Sequence, residues 1–337
     1  MKKTYIIAEI SANHGNDLNI TLETVTAIAN SGADAVKVQT YQADSLTLDV
    51  DNEYFGPKTS GPWKGLKPYD VFKEGALSLE WHHLIKDKAN ELGLDFFSTP
   101  FDIEAVNFLE SINVPKYKIA SFEINHIPLI KYVASKGKPM IISTGVAEEN
   151  DIKLAIETCR NAGNNDITLL KCTSQYPSKL EDANLATMLH MKEKFAVKVG
   201  LSDHSEGYRV PVVAVSLGAE VVEKHFILDR KIGGPDAFFS MEPHEFKKMV
   251  DEIRLVEKAL GKVKYSVSVD QKRRRRSIFV SENILVGETF TKNNIRVVRP
   301  SIGMQPKFYD DILGKTASCN LVKGSPLYNS DVTIDEN

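Results

Sequence analysis

Cysteine is scarce in this chain: three residues among 337, at Cys159, Cys172 and Cys319. An odd number at wide spacing, with no CxxC pair, argues against a disulfide framework and fits reduced cytosolic thiols. Excess charge of one sign is missing too. Lys and Arg number 42 against 45 Asp and Glu, a net of −3, which argues against a general affinity for nucleic acid or an anionic membrane. No apolar run is long enough to span a bilayer. The opening "MKKTYIIAEI" carries two lysines, but Glu9 interrupts its apolar run and no cleavage-site pattern follows, so it is not expected to act as a signal peptide. The chain therefore reads as cytoplasmic, with neither nucleic acid nor membrane as partner. Also absent are a GxGxxG after the first apolar run, which removes support for a dinucleotide fold, and any glycine-rich phosphate loop.

What is present is one theme repeated eight times: a short β-branched apolar run, a polar turn, then a helical pattern. The runs are "YIIAEI", "AVKVQT", "LDFFST", "KYKIAS", "PMIIST", "ITLLKC", "VKVGLS" and "AEVVEKHF". Apolar runs alternating with helices predict strands buried on both faces of a parallel sheet, and eight such units predict a (β/α)8 TIM barrel. Helices are expected over "LNITLETVTAIANSGA", ending at Gly32, and "IPLIKYVASKGK", ending at Gly137. The connection from Thr40 to about Leu79, with "YFGPKTSGPWKGLKP", is expected as a long loop near the active face. The pattern changes after "PHEFKKMVDEIRLVEKALG". Residues 1–265 are assigned to the barrel, 266–276 to a linker and 277–337 to a small second domain of short β-like runs.

Reactive side chains in such a barrel come from the C-terminal strand ends and the loops after them. Those ends carry Glu9; Lys37 and Gln39; Ser98 and Thr99; Lys118, Ser121 and Glu123; Ser143 and Thr144; Thr173 and Ser174; Ser202 and His204; Glu223 and His225. Buried polar groups are costly unless satisfied, so a mouth this polar is expected to hold a charged ligand. Two lysines and a ring of hydroxyls suit a phosphate or a carboxylate. His204 and His225 end neighbouring strands. Taken singly, each reads as an ordinary core or surface histidine. Paired, and without thiolates, they are too few for structural zinc but suit a catalytic divalent ion completed by water and substrate oxygens. His82 and His83 read as the exposed edge of a helix start, and Cys172 as a small buried filler. The "KRRRR" at Lys272–Arg276 reads as a solvated run or a contact with the barrel rather than a nucleic-acid or targeting patch.

The ordered segments "IIAEISANHG", "VKVQTY", "FFSTPFD", "YKIASFEIN", "IISTGVA", "KCTSQYP", "GLSDHS" and "EKHF" resemble the sialic acid synthase family. The C-terminal "VRPSIGMQPKFYDDILGKTAS" resembles that family's antifreeze-like (SAF) domain. "SANHG", "VQTYQADSLTLD" and "CTSQYP" resemble its pseudaminic acid synthase branch. The resemblance implies a transferase that condenses phosphoenolpyruvate with an acylamino sugar and water, releasing phosphate and a nine-carbon 2-keto acid. For that branch the sugar is 2,4-diacetamido-2,4,6-trideoxy-L-altrose. It further implies that Lys37, Thr99, Lys118, Ser121, Ser174 and Ser202 hold phosphoenolpyruvate, and that Gln39, Glu123, Tyr176, Asp236 and Arg299 meet the sugar. His204 and His225 would be the metal ligands and, with Glu9 and Glu123, the catalytic residues. Asp203 is expected to orient an imidazole or to lie at the surface. Manganese is the implied ion, with magnesium or cobalt able to serve, and the implied assembly is a domain-swapped homodimer in which Arg299 reaches the partner's barrel. Rival readings are an N-acetylneuraminate or legionaminate synthase, a synthase acting on a simple aldose phosphate, and a non-catalytic sugar- or ice-binding protein.

Overall fold

A computed structural model describes residues 3–60 and 64–333. Contacts divide it into two units, Met1–Gly261 and Lys262–Asn337. In the first, eight strands pair in parallel and close on themselves: β1 (Tyr5–Glu9), β2 (Ala35–Thr40), β3 (Asp95–Pro100), β4 (Tyr117–Ile119), β5 (Met140–Ser143), β6 (Ile167–Cys172), β7 (Lys198–Asp203) and β8 (Val221–His225). Every apolar run expected as a strand is one. Closure is made by β1 against β8, which aligns Glu9 with His225, while β1 against β2 aligns Glu9 with Lys37.

The strands are apolar because both faces are covered. Ile6, Ile7 and Ala8 of β1, Val36 and Val38 of β2 and Phe96 and Phe97 of β3 are all buried between the barrel interior and the helical layer. Gly200 lets β7 and β8 approach, since a Cβ there would lie 2.3 Å from the Val221 carbonyl oxygen. The first helix, Leu18–Asn30, is capped by Asp17, whose carboxylate accepts from the Asn19 and Ile20 amides, and it stops before Gly32 at φ +82°.

The long connection after β2 is not a plain loop. It contains helices Ala43–Leu46 and Pro68–Gly75, and its "GPW" at 61–63 lies outside the described residues. It is tied to the loop after β1, because the Gly75 carbonyl faces His14 Nε2 at 3.2 Å and Asn16 Nδ2 donates to the Glu74 carbonyl at 2.9 Å. His82 departs from the exposed position expected of it. It sits on the inner side of helix Trp81–Glu91, fully buried, with Nδ1 at 2.9 Å from the Ser78 carbonyl and Nε2 at 2.8 Å from Thr40 Oγ1. Burial pulls its pKa down to about 4. Only His83 is exposed.

The second unit has its own core of Ile278, Val280, Ile284, Phe290, Ile295, Met304, Ile312, Ala317, Leu321 and Leu327. Its strands β9 (Ser277–Val280) and β10 (Ile295–Val298) pair antiparallel. Lys272–Arg276 are exposed, at the end of and just beyond the short helix Val269–Arg273, and Arg276 donates to the Val297 carbonyl at 3.3 Å.

Candidate active site

Side chains on a strand alternate faces, so residues two apart share one. That parity turns Lys37 with Gln39, Ser202 with His204, and Glu223 with His225 to the same face of their strands. Their place at or just past the C-terminal strand ends puts them at one end of the barrel, and β1 adds Glu9 between Lys37 and His225. An ionic cluster results. Lys37 Nζ contacts the Glu9 carboxylate, lies 3.8 Å from Glu223 Oε2 and donates to Thr99 Oγ1 at 3.1 Å. Lys118 Nζ is 3.2 Å from Glu223 Oε1, which also accepts from Ser202 Oγ at 3.0 Å. All four charged residues are nearly inaccessible to solvent. The two ammonium groups inferred from sequence therefore do not stand alone; two carboxylates balance them.

Burial pulls Lys37 down to about 7, helped by Lys118 and opposed by Glu223. Burial acts the other way on the Glu223 carboxyl, but the two lysines and Ser202 overcome it and hold the group at about 2. Glu123 has less company. Burial raises its carboxyl to about 7 despite Lys118, and its Oε2 has no hydrogen-bond partner among the described residues.

Beside the ionic cluster lies a hydroxyl niche. Gly145, just after β5, donates its amide to Ser121 Oγ at 3.0 Å. A Cβ at Gly145 would fall 2.1 Å from Ser174 Oγ, 2.9 Å from Ser121 Oγ and 3.1 Å from Cys172 Sγ, so only glycine leaves this space open. The neighbouring Ser143 hydroxyl is buried and has no hydrogen-bond partner among the described residues. Cys172 is buried as expected, yet it is more than filler, standing 3.8 Å from Ser174 Oγ and 3.9 Å from His204 Nδ1.

The imidazoles of His204 and His225 have ring centroids 5.3 Å apart. His204 Nδ1 faces the Thr173 carbonyl at 3.0 Å, which assigns the proton to Nδ1 and leaves the Nε2 lone pair free. Burial lowers the proton affinity of His204, but the Cys172 and Thr173 contacts outweigh it and its pKa ends above the ordinary value. His225 is held well below that value, by burial first and then by His204 and the lysines. Its Nδ1 is buried, with no hydrogen bond among the described residues, 3.6 Å from Asp236 Oδ2. Two neighbouring rings with available lone pairs fit one divalent cation; among the described residues no third His, Cys, Asp or Glu joins them as a ligand set. Other coordination would fall to water or substrate.

Tyr176 packs on His204 at 4.3 Å, and Phe239 closes on Tyr176 and His225 at 5.1 and 4.9 Å. Gln39 Nε2 donates to Ser11 Oγ at 3.0 Å, on the loop after β1. The barrel thus brings Glu9, Lys37, Thr99, Lys118, Ser202 and Glu223 into one cluster with Tyr176, His204 and His225 grouped nearby, whereas Ser98 turns away from it to the Thr40 hydroxyl that also meets His82. Arg299 lies on the second unit, exposed, one residue beyond β10. Asp203 is at neither expected place: it is buried, and it pairs with Lys224 on the opposite strand face rather than with an imidazole. Glu223 reads from sequence only as a strand-end residue, and its spacing of two from His225 is the signal for the role that its lysine contacts give it. Nothing local in the sequence marks Gly145 or Phe239.

A closed eightfold parallel barrel, with ionised groups, hydroxyls and paired imidazoles gathered at its C-terminal strand ends, defines a TIM-barrel enzyme acting on an anionic substrate. Comparison with known proteins narrows the class. Residues 24–265 match the NeuB family and residues 275–333 match the SAF domain, so the chain belongs to the NeuB family and carries a C-terminal SAF domain. It is 45% identical to pseudaminic acid synthase of Helicobacter pylori, over 97% of each chain. It is 38% identical to N,N'-diacetyllegionaminic acid synthase of Legionella pneumophila, over 96% of this chain and 93% of that one. Among solved structures it resembles the N-acetylneuraminic acid (sialic acid) synthetase of Leptospira borgpetersenii in complex with citrate. That likeness has a TM-score of 0.72 and 32% identity, and it covers 80% of this chain and 90% of the other.

Proposed function

We propose that the chain is a pseudaminic acid synthase, joining phosphoenolpyruvate to 2,4-diacetamido-2,4,6-trideoxy-L-altrose with water to give pseudaminate and phosphate. The carrying observation is the shared mouth, where a buried lysine–carboxylate cluster lies beside two imidazoles with available lone pairs. The choice of sugar is supported by similarity along nearly the whole chain, higher toward the pseudaminic acid synthase than toward the legionaminic one.

In this reading Lys37 and Lys118 bind the anionic enol phosphate, exchanging part of their pairing with Glu9 and Glu223 for the ligand's charge. Thr99, Ser121, Ser174 and Ser202 supply neutral donors around it. C3 of the enol phosphate bonds to the sugar aldehyde carbon, and the aldehyde oxygen takes up a proton. Water then adds its oxygen to C2 and loses one proton, and the C2–O bond to phosphate breaks as the new C2 hydroxyl becomes the ketone and its remaining proton passes to the departing phosphate. A divalent ion held by His204 and His225 would supply Lewis-acid polarisation of the aldehyde. The Glu123 carboxyl, held near 7, is poised to exchange a proton at neutral pH and so to take the one that water loses. Glu9, adjacent to Lys37, offsets positive charge developing at C2. Gln39, Tyr176, Asp236 and Phe239 line the sugar side.

Manganese is the ion proposed, with magnesium or cobalt able to replace it. The assembly proposed is a homodimer in which Arg299 of one chain reaches the barrel of the other. Phe122 and Phe238, 60% and 58% exposed beside mouth residues, support a cover over the barrel. Action in the cytoplasm is supported by three free thiols, and among the described residues no helix is long and apolar enough to cross a membrane. The test is incubation of the full chain with phosphoenolpyruvate and a panel of acylamino sugars, with phosphate release measured and products identified by mass spectrometry and NMR. Turnover with N-acetylmannosamine or a legionaminate precursor in preference to the altrose sugar would overturn the substrate assignment. Phosphate release insensitive to a chelator would overturn the metal.

A further inference from the structure

Asp203 and Lys224 are buried charges that the proposed chemistry leaves unused. Asp203 stands between Ser202 and His204, and Lys224 between Glu223 and His225. The two are register partners across β7 and β8, and strand alternation turns both away from the mouth. There Lys224 Nζ donates to Asp203 Oδ2 and to the Ser205 carbonyl oxygen. Asp203 also accepts from the Ser205 amide at 3.1 Å and from the Ser205 hydroxyl at 3.0 Å. None of the three residues is more than 4% exposed.

Stability alone is a poor reason for such a group, because a well-packed apolar pair of similar volume often serves a buried position as well or better. What the ionic group adds is direction. Its bonds join β7, β8 and the first residue of the loop leaving His204, each within one position of a ring-bearing residue. His225 depends on such support. Its Nδ1 makes no hydrogen bond among the described residues, so its ring is placed by its backbone, by packing against Phe239, His204 and Tyr176, and by the looser approach of Asp236. A slip between the two strand ends would pass directly into the spacing of the rings.

We propose that Asp203, Lys224 and Ser205 form a positioning clamp that sets the separation of the His204 and His225 imidazoles for a shared divalent cation. The clamp rests on the reading that these histidines hold such an ion. The test is calorimetric titration of Mn2+ into the substrate-free full chain, comparing wild type, the apolar double variant Asp203→Leu/Lys224→Met, the near-isosteric Asp203→Asn and the control His225→Ala. Near-UV circular dichroism and thermal midpoints establish folding. The double variant is expected to keep or raise its midpoint while losing about 10- to 100-fold in Mn2+ affinity, the range typical of groups that orient metal ligands. Asp203→Asn, which leaves the Lys224 ammonium without its carboxylate and is expected to lower the midpoint, guards against a double variant that does not fold and carries the same expectation for Mn2+ affinity. A loss of less than five-fold in a folded clamp variant, with binding abolished in His225→Ala, overturns the clamp alone. Wild-type binding in His225→Ala as well overturns the cation site and the clamp with it.

Discussion

Replacing Glu223 by Gln keeps the shape of the side chain but removes the negative charge between two buried ammonium groups. Lys118 lies 3.2 Å from one oxygen and Lys37 3.8 Å from the other. At an effective dielectric constant of roughly 20, those separations correspond to gross attractions of about 5 and about 4 kcal/mol. The net cost of breaking a buried pair is smaller, about 3–5 kcal/mol. It is capped here because Lys37, already near 7, can shed its proton. Deprotonation fixes the sign with pH. Losing Glu223 removes a contact that raises the Lys37 pKa, so the folded variant holds fewer protons than the unfolded chain, and its stability recovers as pH rises. The barrel-unfolding midpoint of Glu223→Gln should therefore fall furthest below wild type near pH 6 and approach it by pH 9. Phosphoenolpyruvate or inorganic phosphate should restore the variant at pH 6 more than it raises wild type, since an anion replaces the missing charge. A variant as stable as wild type at pH 6 without anions, or one that anions do not rescue preferentially, would refute this account of the mouth.

Three further outcomes are expected. Glu123→Gln removes a carboxyl whose folded pKa, about 7, lies above its unfolded value. Such a group favours the folded state below the unfolded pKa and loses that contribution as pH rises through 7. The variant should match wild type near pH 5 and exceed it by about 1–3 kcal/mol near pH 8 in denaturant titrations, while losing turnover. Gly145→Ala places a methyl 2.1 Å from Ser174 Oγ; KM for phosphoenolpyruvate should rise at least about ten-fold, and an unchanged KM would remove the hydroxyl niche from the substrate site. Arg299→Ala mixed with His225→Ala under subunit-exchange conditions should recover part of the activity that neither variant shows alone, and no recovery after demonstrated exchange would argue against a shared site.

Local pattern was enough for the barrel and for which side chains face its mouth. Eight apolar runs with helical patterns between them specify a closed parallel sheet; a period of two fixes the facing of Ser202 with His204 and of Glu223 with His225, and their place with Lys37 toward the C-terminal strand ends fixes the shared end. These properties are set within a few residues of chain. Partnership across strands is not. Glu223 bridges two lysines only because closure brings β8 beside β1 and across from β4, and that bridge balances the lysine charge at the mouth. His82 reads from sequence as the exposed edge of a helix start, but the fold turns it inward, where Thr40, some forty residues earlier, supplies a hydrogen bond. Asp203 looked like a partner for the adjacent ring, yet alternation carried it to the opposite face and into the reach of Lys224. Sequence determined facing, which follows from backbone geometry; only the folded chain determined pairing, because an ion pair or hydrogen bond depends on a distance between segments that no local pattern encodes.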